Sequence, residues 1–181
     1  MSEEYLVKYC APTMAGIKTG NLFTCDFSSK EELLADLKRY NQLFVPRGLF
    51  LIPLKLMGNK ALLYLFRKDM LAHDLALSET SDLLESFGYK DADYRTCLSK
   101  LVRKLKTMEG FPHEIGLFLS YPIEDVKGFI ENHAENFKMV GYWKVYGDEN
   151  AARKKFSQYD RCTSEYRRRI KKGTALESLV I

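Results

Sequence analysis

The sequence predicts a mixed fold, α+β or α/β, in a single compact domain (residues 1–181), with a small mixed sheet of about four or five strands covered by helices. Three observations carry that reading. Two apolar runs, Leu49 to Leu56 and Ala61 to Phe66, flank Met57, Gly58, Asn59 and Lys60, the pattern of a β-hairpin over 49–66. A strand, a helix and a strand with short connections over 114–146 predict a βαβ unit with a right-handed parallel crossover. Around these, apolar residues recur every three or four positions, the helical period.

In chain order, Glu3 to Tyr9 reads as a short helix ended by Pro12, and Ile17 to Phe23 as an extended segment. Ser28 and Ser29, followed three residues on by Glu31 and Glu32, give a capping box for a helix over Lys30 to Phe44. Leu33, Leu37, Tyr40 and Phe44 share its inner face. Pro53 cannot donate to a ladder, which places its strand at a sheet edge. Helices follow at Lys68 to Ala76, Thr80 to Phe87 (closed by Gly88) and Asp91 to Met108. Ile115 to Ser120 reads as a buried strand, Ile123 to Asn136 as a helix, and Met139 to Tyr146 as a strand. Glu149 to Lys172 is a final helix, and the ending T-A-L-E-S-L-V-I is apolar enough to dock back on the body.

A composition of 46% hydrophobic and 29% charged residues excludes disordered and fibrous classes. No apolar run approaches the roughly 18 residues that cross a bilayer. The start M-S-E-E-Y lacks the basic and apolar regions of a secretory leader. A cytoplasmic protein without a membrane partner is expected. Cys10, Cys25, Cys97 and Cys162 contain no C-x-x-C pair, which argues against zinc-ribbon, thioredoxin-type and ferredoxin patterns. Four mostly buried free thiols are the expectation. The net charge of +4 is uneven: from Gly141 onward ten Lys and Arg face five Asp and Glu, so the basic character belongs to the last helix.

Residues 110–148 are densest in chemistry-bearing side chains, yet match no catalytic signature. His113 and Glu114 suit proton transfer or metal binding, but neighbours in a strand point to opposite faces, so they cooperate only if the strand starts after them. Glu114 has Lys144 as its expected cross-strand partner. Tyr121 and Pro122 lie where strand gives way to helix. Glu124 and Asp125 already occupy the positive end of that helix and no glycine-rich loop precedes it, which argues against a nucleotide phosphate site. Tyr142, Lys144 and Tyr146 share one strand face and Trp143 takes the other. Exposed, the first set is a platform for a planar or anionic ligand; buried, it is sheet packing. A parallel crossover favours ligands near Tyr121 and Tyr146, with His113 at the opposite edge, so two rival sites result. Cys10 sits near a helix end whose dipole raises a thiol pKa, unless Lys18 folds back close to the sulfur.

The stretches CAPTMAGIKTGNLF, PHEIGLFLSYPIEDVKGFI and GYWKVYGD, with the later Cys162, resemble an uncharacterised bacterial family, a numbered domain of unknown function found mainly in anaerobic Gram-positive bacteria. The resemblance covers nearly the whole chain and implies one compact cytoplasmic domain in an anaerobe. It carries no activity, ligand or catalytic residue with it.

Two functional readings follow. The first is a small-ligand or metal-binding protein with thiol or redox chemistry. Its catalytic candidates are Cys10, His113 and Glu114, its ligand-binding candidates Lys18, Tyr121, Lys144 and Tyr146, and its metal candidates Cys10, His113 and Cys162, since thiol and imidazole both ligate iron or zinc. The alternative is a noncatalytic interaction module whose basic helices, with Arg167, Arg168 and Arg169, meet an acidic protein partner or RNA. No motif names a cofactor or a reaction.

Overall fold

Strand pairing centres on Lys60–Arg67, where Ala61 to Phe66 are all buried, the signature of a strand covered on both faces. The computed structural model describes residues 1–90, 93–108 and 110–181. It is a mixed α+β structure made of two compact units, residues 1–69 with 159–181, and residues 70–158.

In the first unit, helix α1 (Glu3–Met14) starts at Ser2, whose hydroxyl accepts from Tyr5 N at 3.2 Å. It runs past Pro12, where the sequence predicted its end. Proline there forfeits only the bond to the carbonyl of Lys8, an exposed residue whose carbonyl water can satisfy. Strand β1 (Gly20–Asp26) follows, and then α2 (Lys30–Phe44). The predicted capping box is present: Ser29 Oγ accepts from Glu32 N, and the Glu32 carboxylate accepts from Ser28 N, both at 3.1 Å. Strands β2 (Leu49–Met57) and β3 (Lys60–Arg67) form the predicted hairpin through Gly58, which has a φ of +60°, and Asn59. The sheet is antiparallel in the order β1-β3-β2. Pro53 is on an edge strand as expected, beside a register shift between Pro53 and Lys55.

One face of β3, Ala61, Leu63 and Leu65, packs against the apolar stripes of α1 and α2. Leu176, Leu179 and Val180 of the C-terminal segment complete this core. Arg67, at the end of β3, donates to the carbonyls of Thr13 (2.7 Å), Met14 (2.6 Å) and Ile181. At Thr13 and Met14 it adds a charged donor to last-turn carbonyls of α1 that also accept, at 3.2 Å, from the backbone N–H groups of Gly16 and Ile181.

The second unit takes up most of α3 (Lys68–Ala76), then α4 (Ser78–Ser86) and α5 (Tyr94–Thr107), which is capped by Asp93. The predicted start of α5 at Asp91 lies outside the described residues. Next come α6 (Ile115–Phe118), α7 (Ile123–Glu131), β4 (Met139–Val140), β5 (Lys144–Val145) and α8 (Glu149–Lys171), whose residues 159–171 belong to the first unit. Among the described residues no helix is long and apolar enough to cross a membrane.

The predicted βαβ unit over 114–146 is replaced by other structure. Residues 115–118 are a helical turn, and β4 and β5 are an antiparallel two-stranded ladder. A short apolar run does not distinguish a buried strand from a buried helical turn. Here Leu119 N and Tyr121 N both bond the Gly116 carbonyl at 3.0 Å, which curls the segment. Gly116 permits this, since a Cβ would stand 2.8 Å from Val126 Cγ2. The expected strand Met139 to Tyr146 folds on itself at Gly141, where a Cβ would fall 2.2 Å from the Phe156 ring. Helix α7 stops at Glu131 because His133 (φ +51°) and Ala134 (φ +66°) adopt left-handed backbone.

Gly128, within α7, faces Tyr146 so closely that a Cβ would lie 2.5 Å from the ring. Gly128→Ala, which at an open helical site stabilises by about 1 kcal/mol, is therefore expected to destabilise by about 1–3 kcal/mol through overpacking. In a Tyr146→Gly background, which removes both the ring and the Tyr146 Cβ that also stands 2.5 Å away, that loss should shrink or reverse, as measured by urea unfolding in a double-mutant cycle.

Candidate functional site

The turn at 115–118 decides the geometry of the site. Six residues of strand would separate their ends by roughly 20 Å, whereas four residues of helix advance about 6 Å. His113 and Tyr121, predicted at opposite edges, instead line one cavity of about 270 Å³ in the second unit. Phe111, Phe129 and Trp143 supply further aromatic walls, and Asp125 and Lys144 complete its charged lining. The expected separation of His113 from Tyr121 is thus corrected: the two line the same cavity.

Asp125 holds the cavity's shape. It is 3% exposed, and its Oδ2 accepts from Trp143 Nε1 at 2.6 Å while Oδ1 accepts from the backbone N–H groups of Tyr146 and Gly147, each at 2.7 Å. Three donors satisfy a buried carboxylate that would otherwise be costly. They also bolt the first turn of α7 to the segment carrying Trp143. The indole lies 4.9 Å from the Tyr121 ring and meets Phe156 edge-on at 4.6 Å. Tyr121 donates to the Tyr142 carbonyl at 3.0 Å, and burial pushes its phenol up to about 12.

Trp143 and Lys144 line the same cavity although the sequence placed them on opposite strand faces. The ladder is only two residues long on each side, too short to impose alternation on the turn beside it. Lys144 Nζ donates to the Ala134 carbonyl at 2.7 Å and lies 4.8 Å from the Phe137 ring centroid and 5.9 Å from that of Phe129. The His113 ring packs on Phe129 at 5.3 Å.

Glu114 and Tyr146 are not among the lining residues. Glu114 is 1% exposed and pairs with Lys104 of α5, not with Lys144 as the sequence suggested. Tyr89 donates to the same carboxylate oxygen at 3.1 Å, and burial together with the Glu114 charge raises the Tyr89 phenol. Without a 114–120 strand there is no cross-strand position for Lys144 to fill. Glu114 therefore anchors the turn to α5 from behind. The Tyr146 ring packs against Gly128. Trp143, Phe111, Phe129 and Asp125 also line the cavity, although the sequence did not put them among the candidates; the uniqueness of Trp143 was the available signal.

The remaining candidates belong to the first unit. Cys10 is fully buried in its core, and desolvation raises its thiol well above the ordinary range. Lys18 does approach it, close enough for each to perturb the other electrostatically. Burial outweighs that attraction for both, so Lys18 does not activate the thiol. Lys18 is 2% exposed, donates to the Gly20 carbonyl, and is lowered by desolvation to about 7. Cys162 is half-buried and raised by desolvation to about 11. None of the four cysteines forms a disulfide, and among the described residues no group of three or more His, Cys, Asp and Glu is arranged to hold a metal ion. The same unit carries a groove of about 200 Å³ whose lining includes Tyr5, Lys8, Arg167 and Lys171.

Residues 6–180 match the family described as Protein of unknown function (DUF3793). The chain belongs to this family. No curated protein and no solved structure matches it.

The Lys18 ammonium gives a signed pH dependence. The folded chain releases its proton near pH 7, the unfolded chain near 10.5. Between those values the unfolded state binds more protons, so stability rises with pH, by up to about 1.4 kcal/mol per unit. Below pH 7 both states are protonated and the buried charge costs its full penalty. From pH 7 to 9 the urea-measured stability of the wild type is expected to climb relative to Lys18→Met. A difference that stays flat across that window contradicts the assignment.

Proposed function

We propose that the protein binds a small, largely apolar ligand in the cavity between His113 and Lys144. One observation carries this reading: Phe111, Tyr121, Phe129 and Trp143 surround a space of about 270 Å³, while the only carboxylate among its lining residues has both oxygens occupied by protein donors. Apolar walls with a few placed polar groups are the ordinary make-up of a ligand site. Phe111, at its edge, is 52% exposed, an apolar surface that a ligand would cover. Thiol and redox chemistry draw no support from Cys10, whose sulfur is buried and protonated.

Trp143, the only tryptophan, reports directly on the cavity. The neutral dye N-phenyl-1-naphthylamine is expected to bind with one-to-one stoichiometry and to quench Trp143 emission. Ile115→Phe, which fills space from a half-exposed lining position, should weaken binding at least about tenfold. Equal affinity in that variant would show that the dye sits elsewhere and reject the reading.

A second reading, an interaction surface for an acidic partner, is favoured by the groove in the first unit. Lys8, Arg167 and Lys171 line it against a single carboxylate, Glu4, and neither Arg167 nor Lys171 has a carboxylate partner among the ion pairs of the described residues. Arg168 is engaged by Glu165 in two hydrogen bonds, at 2.8 and 2.7 Å. Retention on immobilised heparin, a polyanion, is therefore expected to fall more for Arg167→Glu with Lys171→Glu than for Arg168→Glu. Unchanged elution of the double variant removes this reading.

A further inference from the structure

We infer that the ligand of the His113–Lys144 cavity is a planar aromatic anion, with its ring system taken up by the aromatic walls and its carboxylate, sulfonate or phosphate group by Lys144, with His113 as a second donor. This rests on the cavity being a ligand site, as proposed above, and adds the charge and shape of the occupant.

The charge inventory of the lining is one-sided once hydrogen bonding is counted. Asp125 faces three donors from Trp143, Tyr146 and Gly147, which compensate its charge locally and leave it little to offer a cation. His113 and Lys144 are the other ionisable lining groups apart from the Tyr121 phenol, which is neutral near pH 7. Both stand against the same ring, His113 at 5.3 Å and Lys144 at 5.9 Å from the Phe129 centroid. They thus flank one wall of the cavity.

Lys144 is the stronger indicator. An ammonium group has three donors, and the hydrogen bond found for Lys144 is the one to the Ala134 carbonyl at 2.7 Å. No carboxylate among the described residues forms an ion pair with it. The rings of Phe137 and Phe129 replace part of its water without supplying a counter-charge. A neutral ligand entering the cavity would strip more water from that ammonium and give nothing back. An anion would pair with it in a place where the walls weaken screening. The acceptor that positions Lys144 is presented by Ala134, which holds a left-handed φ of +66° next to His133 at +51°. Non-glycine residues reach that region at a cost, so this carbonyl is aimed by a strained turn and not by a relaxed helix end.

The aromatic part follows from the walls. Phe111, Tyr121, Phe129 and Trp143 present flat faces and edges, which favour a planar partner over a branched aliphatic of similar size through stacking and edge contacts.

The experiment compares two dyes with the same ring skeleton, 8-anilinonaphthalene-1-sulfonate and its uncharged counterpart N-phenyl-1-naphthylamine, on the wild type, Lys144→Met and Lys144→Arg. Energy transfer from Trp143 is the readout. Expected is a loss of sulfonate-dye affinity of at least about tenfold in Lys144→Met, with Lys144→Arg within about threefold of wild type and the neutral dye changed less than about twofold throughout. Raising salt should weaken only the sulfonate dye. If both dyes bind and Lys144→Met affects neither selectively, the anion inference is overturned while the ligand site stands. If neither dye binds the wild type, or if Ile115→Phe leaves both unaffected, the ligand site falls and the inference with it.

Discussion

A charge taken out of water must find its partners inside the protein, and this constraint shapes both units. Asp125, Glu114 and Lys18 are almost fully buried, and Arg67 is half-buried. Each is answered locally: Asp125 by an indole and two backbone N–H groups, Glu114 by Lys104 and Tyr89, Lys18 by the Gly20 carbonyl, and Arg67 by three carbonyls. Removing one partner from such a set leaves an uncompensated group and costs far more than the pair contributes over an apolar replacement. Burial of this kind fixes position more than it adds stability. Asp125 and Glu114 between them hold the walls of the cavity from two sides, one from α7 and the other from the turn before α6.

What the sequence revealed follows where local signals and tertiary structure agree. The capping box at Ser29 and Glu32, the apolar stripe Leu33, Leu37, Tyr40 and Phe44, the hairpin turn at Gly58 and Asn59, and the edge position of Pro53 are set by neighbours within a few residues. The docking of T-A-L-E-S-L-V-I followed from its apolarity. Residues 114–146 failed for the opposite reason. Five apolar residues between two prolines fit strand or helix equally well, and the choice was made by long-range packing of Gly116 on Val126 and of Gly141 on Phe156. Glycines that look like turn or loop signals are here contact surfaces, and no local pattern distinguishes the two roles.

The same misreading split the candidate site in two. Strand geometry sends neighbours to opposite faces and keeps the ends of a six-residue run far apart. His113 and Tyr121, or Trp143 and Lys144, then cannot cooperate. A helical turn and a two-residue ladder remove both restrictions. Of the residues singled out from sequence, His113, Tyr121 and Lys144 line the cavity, while Glu114 and Tyr146 serve the scaffold around it. Residue type pointed to the segment that forms the cavity; backbone geometry, legible only after folding, decided which side chains share it.

The thiols illustrate how proximity and activation come apart. Lys18 lies near Cys10, the arrangement the sequence required for a lowered thiol pKa. A nearby cation lowers a thiol pKa only if it remains charged, and the ammonium is itself brought down to about 7 by the same burial that raises the sulfur. Desolvation acts against both ionised forms at once. Near pH 7 the ammonium is therefore only about half charged beside a protonated thiol, and it is largely neutral at pH 8 and above. Such a pair suits a core in which neither group meets solvent. Lys144 differs because its charge is partly hydrated and borders open space, where an entering anion can pair with it. On the proposed reading it is therefore the half-exposed lysine beside the cavity, and not the more strongly perturbed one in the core, that would meet a ligand.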